Sequence, residues 1–362
     1  LTNEIKKLRF ILLSSLNIPM LSISSSFRWL SLGLVALTLT VSCNQQPQTN
    51  TPTNPTVSRS PAPDRSQSLL SATNNWIGHS GHYVAVKKGL FAEAGVKVED
   101  LFFQSSSEML SAFMAGKADI AWLTTGDAVQ AAEKDPSIKI IYLIDYSNGA
   151  DGILGRNIKS PQNIKGKTVA RENILFEKVL LQAYLNKAGL TEKDVKIKDM
   201  VAADAATAFG AKQVDAAVTF EPYLTKAAKQ GGGEVIFSTK DTNLIADAIV
   251  VRDKLIQTRK ADLQKYLTAV DKAVKLVNAG NPEAIGIAAN KMGVSVEEVK
   301  AQLAGAKLFD LDGNRNIAFN KNNPNNVIGN LELTAKAATD FKVVAKPINP
   351  KTLYDASLVE AK

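Results

Sequence analysis

From Leu69 onward the chain alternates short apolar strands with helices. This alternation limits the fold more than any other feature, because it builds a largely parallel sheet covered by helices. Residues 68–76 read as a first strand, 82–91 as a helix and 96–103 as the next strand. Ser105-Ser-Ser-Glu108 has the capping-box spacing, in which a hydroxyl and a carboxylate satisfy reciprocal backbone donors. The helix it opens runs to Ala115 and stops at Gly116, with strands expected at 118–123 and 138–145.

The scheme then repeats. A strand at 167–170 precedes a helix at 175–187 that is ended by Gly189, then a strand at 195–200 and a short helix at 203–209. A strand at 215–220 leads to a helix starting near Pro222, a residue suited to a first helical turn. Closing strands are expected at 235–237 and 249–251, helices across 259–304 with a second capping box at Ser295-Val-Glu-Glu298, a loop at 320–326 and a last helix at 331–341. Asp119 and Asp215 each begin an apolar strand after a helix, a weak internal similarity between the two blocks.

The first 67 residues do not share this pattern. The apolar run 30–41 is shorter than the roughly 20 residues that span a bilayer, follows Arg28 and ends at Ser42-Cys43. A positive flank, a short apolar stretch and a small residue describe a secretory signal, placed here at residues 1–42. Met20 stands just ahead of the run, so the true start is expected there and residues 1–19 read as an over-extension of the frame. Leu39-Thr-Val-Ser-Cys43 resembles a bacterial lipobox with Cys43 as the lipidated residue, although Thr40 stands where leucine is usual. Residues 44–67 are Gln, Pro, Thr, Asn and Ser without apolar periodicity and cannot bury enough surface to offset their ordering entropy. With Cys43 they read as a lipid-anchored tether holding a folded body at a membrane.

Composition narrows the chemistry. One cysteine and two histidines exclude a disulfide framework and the usual Cys/His zinc sets. Aromatics at 6% argue against a stacking surface for nucleic acid. The formal charge of +8 falls to +5 once residues 1–42 are removed, and the remainder is spread over helices, so it names no partner.

Lys88-Gly-Leu-Phe-Ala-Glu-Ala-Gly-Val96, Leu110-Ser-Ala-Phe-Met-Ala-Gly-Lys-Ala-Asp119-Ile-Ala and Val214-Asp-Ala-Ala-Val-Thr-Phe-Glu-Pro222 resemble phrases of the nitrate/sulfonate/taurine-type solute-binding proteins of ABC importers. The thiamine-pyrimidine synthases share that fold. The resemblance covers about residues 69–308 and implies a type II periplasmic binding protein, with two α/β lobes joined by two crossing hinge segments that close on a solute. The crossings are expected at 145–153 and 243–250. Lobe 1 is then 69–150 plus 248–345, lobe 2 is 151–247, and 346–362 forms a C-terminal tail. The implied partners are a small-molecule solute, an ABC permease with its ATPase subunits, and a membrane reached through the lipid anchor. No nucleic acid, metal or cofactor is expected, and a monomer on the periplasmic or extracytoplasmic side is.

Ligands of open α/β structures lie beyond the carboxyl ends of the strands. That rule selects Trp76, His79, His82, Ser105, Ser106, Thr124, Thr125, Asp127, Asp145, Asn148, Asp151, Glu172, Glu221 and Asp247. Helix starts at Ser105 and after Thr124 favour an anion such as a sulfonate or nitrate. The carboxylates, with Arg171 as the one basic residue nearby, favour a cation or donor-rich solute such as guanidine. Asp145-Tyr-Ser-Asn-Gly-Ala-Asp151-Gly-Ile also resembles a branch linked to urea or guanidine carboxylase gene neighbourhoods. The expected solute is therefore a small nitrogenous cation or amide, the alternative a sulfonate, taurine or nitrate. An enzyme on the same fold is the remaining reading, and no Ser/His/Asp set, cysteine nucleophile or phosphate loop stands at the strand ends to support it.

Overall fold

The apolar runs between glycine, proline and helix-cap signals become eleven strands in a computed structural model that describes residues 68–240, 242 and 244–360. The signal, Cys43 and tether lie outside the described residues. The strands are β1 (Ser68–Thr73), β2 (Lys97–Phe102), β3 (Ile120–Thr124), β4 (Ile138–Ser147), β5 (Asp151–Gly155), β6 (Thr168–Arg171), β7 (Lys196–Asp199), β8 (Ala216–Phe220), β9 (Glu234–Ser238), β10 (Ala246–Arg252) and β11 (Ala306–Leu308). The helices that matter to the site are α1 (Ser80–Lys87), α2 (Ser106–Met114), α3 (Thr125–Lys134), α4 (Leu175–Asn186), α5 (Ala202–Gly210), α6 (Tyr223–Gly231), α7 (Asp253–Asn278), α8 (Val296–Leu303) and α9 (Val327–Asp340).

Two sheets result. Lobe 1 has the order β11-β4-β10-β3-β1-β2 and lobe 2 the order β7-β6-β8-β5-β9. Reading outward from the β2 and β7 edges, both sheets place two parallel neighbours, a third parallel strand and then antiparallel strands. The aspartates of the internal similarity occupy matching places. Asp119 accepts the Leu70 N–H at 2.9 Å beside β3, and Asp215 accepts the Thr168 N–H at 2.9 Å beside β8. Each carboxylate clips the start of its strand to the parallel neighbour, β1 or β6, which gives the repeat a physical meaning.

The chain crosses between lobes at 148–150 and again at 239–245. Hydrogen bonds tie the crossings together: the Ser147 and Thr239 hydroxyls lie 2.6 Å apart, and Gly149 N donates to Thr239 Oγ1 at 2.8 Å. Gly149 has a φ of 108°, a conformation open to glycine. The expected crossings were too wide. Residues 151–153 already belong to β5, and 246–250 to β10, so Ala246 and Asp247 stand in the sheet of lobe 1 and not in lobe 2. The expected C-terminal tail also packs as structure. Leu353 O accepts from Ile140 N, Asp355 N donates to Ile140 O, and Leu353, Leu358 and Val359 are buried against lobe 1.

Local signals explain most boundaries. Ser295 and Glu298 form the full reciprocal box at the start of α8. At α2 only half of it forms: Ser105 Oγ accepts from Glu108 N at 3.2 Å, while the Glu108 carboxylate does not reach back. Lobe 1's core centres on Trp122, Tyr142, Tyr266 and Phe113, all fully buried. Tyr266 of α7 stacks on Phe91 with ring centroids 4.8 Å apart, and its hydroxyl joins Ser71 and the Trp122 indole N–H at 2.8 Å each. That network fixes Trp122, whose other side faces the space between the lobes.

Candidate functional site

Between the carboxyl ends of the two sheets lies a narrow cavity of about 20 Å³, room for about one water-sized group as it stands. Its lining comes mostly from lobe 1: Asn74 and Trp76 after β1, His79 in the turn before α1, Ser106 and Met109 of α2, Trp122 and Thr124 of β3, Asp127 of α3, and Asp247 of β10. Lobe 2 adds Asp151, Phe176 and Phe220. Trp76 and Phe220 meet edge to face across the gap at 5.7 Å.

The polar atoms follow from the strand ends. Asn74 donates to Ser106 Oγ at 2.9 Å, which leaves its carbonyl oxygen unpartnered. The His79 ring is bound through Nδ1 to the Asn74 backbone, so Nε2 is the nitrogen left without a partner. Burial pulls the His79 pKa down to about 3, so the ring is neutral. Both Asp127 oxygens, Asp151 Oδ2 and Asp145 Oδ1 also lack hydrogen-bond partners. Burial drives the Asp127 and Asp151 carboxyls up to about 7, with neighbouring negative charge adding to it. Asp145 and Asp247 stand opposite each other in the β4–β10 register, and burial raises both. The negative charge of Asp145 adds to the rise at Asp247. Asp145 Oδ2 accepts the Trp76 indole N–H at 3.1 Å. No lysine or arginine lines the cavity.

Seven of the fourteen expected residues line this space: Trp76, His79, Ser106, Thr124, Asp127, Asp151 and Asp247. The others have different work. His82, one helical turn on, is turned behind the site and pairs with Asp100 at 3.1 Å. Ser105 caps α2, and Thr125 Oγ1 donates to Asn330 of α9 at 2.5 Å. Asp145 stands behind Asp247 and Trp76, and Asn148 is exposed at the first crossing. Glu221 accepts from the Thr225 backbone N–H and hydroxyl at the start of α6. Glu172 bridges the lobes, accepting Ser107 N of α2 at 2.9 Å and Ala202 N of α5 at 3.4 Å. Arg171 is spent on Glu192, Asp199 and the Glu172 carbonyl.

Sequence reasoning missed Asn74, Met109, Trp122, Phe176 and Phe220. Asn74 lay inside the expected first strand, and the other four are apolar residues that look like core. The strand-end rule contained the missing signal for Phe220, the last residue of β8.

The NMT1/THI5 like family model matches residues 76–285, more than half of the chain. A Brucella abortus protein, named only as a binding protein, is 22% identical over 292 residues, covering 80% of this chain and 90% of its own. The structure of the periplasmic aliphatic sulphonate binding protein SsuA from Escherichia coli superposes with a TM-score of 0.67 at 21% identity, covering 82% of this chain and 94% of SsuA. The periplasmic nitrate-binding protein NrtA from Synechocystis PCC 6803 gives 0.57 at 14% identity, covering 80% and 91%. The fold is therefore that of type II periplasmic binding proteins, as the sequence implied.

Proposed function

The chain belongs to the NMT1/THI5-like family, and from that premise we propose that it is the solute-binding component of an ABC import system. It captures a small polar solute between its lobes on the extracytoplasmic side and presents it to a permease with ATPase subunits. Cys43 serves as its lipid anchor. The fold resemblance to two periplasmic binding proteins supports this reading, as does a cavity that is lined from both lobes.

For the solute, the observation that carries most weight is the set of unpartnered buried atoms. They are the Asn74 carbonyl oxygen, three carboxylate oxygens of Asp127 and Asp151, and one nitrogen of a neutral histidine. Buried acceptors left without donors are costly, and a solute rich in N–H groups meets them. Carboxylates match planar N–H donors two at a time, and the Trp76, Trp122, Phe176 and Phe220 rings suit a cation. A small nitrogenous cation or amide, of which guanidine is the simplest, is the solute class that this lining fits.

A sulfonate, taurine or nitrate is the second reading, and the names of SsuA and NrtA favour it over guanidine. Against it, part of each helix start that would hold an anion is already in use. At α2, Ser107 N is taken by Glu172 and Glu108 N by Ser105; at α3, Asp127 N is taken by Thr124. A thermal-shift screen of a fragment beginning near Ser66 decides, because a bound solute raises the melting point by mass action. Guanidine (below denaturing concentration), methylguanidine and urea are expected to raise it. Shifts produced by taurine, alkanesulfonates or nitrate alone would replace the first solute class with the second. No shift with any of them would remove both.

A further inference from the structure

Three aspartates line one cavity and a fourth stands behind them. Asp247 of β10, Asp151 of β5 and Asp127 of α3 share the lining with the His79 imidazole, and Asp145 of β4 is the register partner of Asp247. Glu172 and Glu177 of lobe 2 lie close enough to Asp127 and Asp151 to add to the negative field. No lysine or arginine answers them at the cavity surface, since Arg171 is turned to Glu192 and Asp199. Four carboxylates so placed cannot all be ionised, because like charges in a low-dielectric site hold protons. The Asp145–Asp247 pair is the natural holder. The two residues are register partners, Asp145 Oδ2 is fixed by the Trp76 indole, and Asp145 Oδ1 is buried with no hydrogen-bond partner among the described residues.

We propose that solute capture is linked to proton exchange at this cluster: a cationic solute entering the cavity displaces the proton held by the Asp145–Asp247 pair. The inference rests on the reading of the cavity as a site for a small nitrogenous cation. The balance is simple. The Asp247 carboxyl gives its proton to solvent, the carboxylate left behind is compensated by the incoming positive charge, and on the order of one proton is released per solute bound. A neutral amide leaves the proton in place. An anion requires the cluster to take up protons, so the sign of the exchange reports the charge of the cargo.

The ligand-free state carries a matching signature. Carboxyls raised by burial bind more protons folded than unfolded, so their contribution to stability is full below the unfolded carboxylate range, near pH 4. It is lost as the pH rises toward about 7, where Asp127 and Asp151 titrate. A bound cation flattens that decline.

Calorimetry of the tethered-body fragment with guanidinium, repeated at one pH in two buffers of different ionisation enthalpy, counts the protons directly. Release of about one proton, with affinity rising by up to about tenfold per pH unit between pH 5 and 7, is the expected result. Binding of guanidinium without proton release overturns the linkage but leaves the solute class standing. Binding of nitrate or taurine with proton uptake, and none of guanidinium, overturns the solute class and the linkage with it. Asp247→Asn, which cannot release the proton, is expected to bind guanidinium more weakly and to flatten the pH slope to what Asp127 and Asp151 contribute. If the full slope survives in a folded Asp247→Asn protein, the proton does not come from this pair. The wild-type proton count stands without the variant if it does not fold.

Discussion

The two lobes share a strand plan but divide the work at the cleft. Both set two parallel strands beside a third and add antiparallel strands on one side, and both clip their sheets with an aspartate at matching places. Beyond the strand ends they part. After β1, lobe 1 presents Asn74, Trp76 and His79; after β6, the matching position in lobe 2 presents Glu172, which reaches across to the start of α2. After β3, lobe 1 presents Thr124 and Asp127, while lobe 2 ends β8 with the apolar Phe220. Lobe 1 thus supplies most of the cavity lining. Lobe 2 supplies an aromatic cover, one carboxylate and a clasp.

The comparison is broken most directly at Asp127, whose two oxygens have no partner in the cavity. Removing one member of a buried hydrogen-bonded charge pair costs about 2–5 kcal/mol, so Asp127→Asn is expected to weaken guanidinium binding roughly 30-fold or more by calorimetry. An unchanged affinity would move recognition out of lobe 1's α3. Glu172 is the counterpart in lobe 2 and does not line the cavity. Glu172→Ala deletes the bond to Ser107 N and is expected to lower affinity by roughly five- to tenfold, with the solution radius of the liganded protein growing toward an open form in X-ray scattering. A loss as large as that of Asp127→Asn, with no change in radius, would make Glu172 a solute ligand and not a clasp.

The smallest effect tests the likeness of the lobes. Asp119→Ala and Asp215→Ala each remove one carboxylate bond to a strand N–H and are each expected to cost about 1 kcal/mol in urea unfolding, with little change in solute affinity. A cost confined to one of them would show that the shared plan is not used alike in both halves.

Much of this fold was legible because its signals are local. Alternating short apolar runs, glycine stops and the Ser295–Glu298 box mark their own boundaries. The aspartate repeat at 119 and 215 was visible as spacing before its hydrogen bonds gave it a reason. The Ser105–Glu108 pattern was legible but half-used, since a reciprocal bond depends on where the Glu108 side chain points. At the site, strand-end polar residues were found by rule, and half of them line the cavity. His79 and His82 read as one pair, yet His79 sits in the turn before α1 and His82 inside the helix, so their rings part. Phe176, Phe220, Met109 and Trp122 were missed because an apolar residue facing a cleft has the same sequence pattern as one facing a core.

The sequence by itself determined the class: strand and helix order, two similar blocks, a likeness to solute-binding proteins and an excess of acids near the strand ends. The element order and the acids follow from periodicity and composition along the chain, and the likeness from a resemblance of its phrases to a known family. Only the tertiary structure decided which acids share a space and which are turned aside. Asp145 and Asp247 are about a hundred residues apart and become neighbours through β-sheet register, while Glu172 meets Ser107 N because the ends of the two sheets face each other. Charge in a dry cavity depends on which groups are near, and nearness across the chain is a property of the fold.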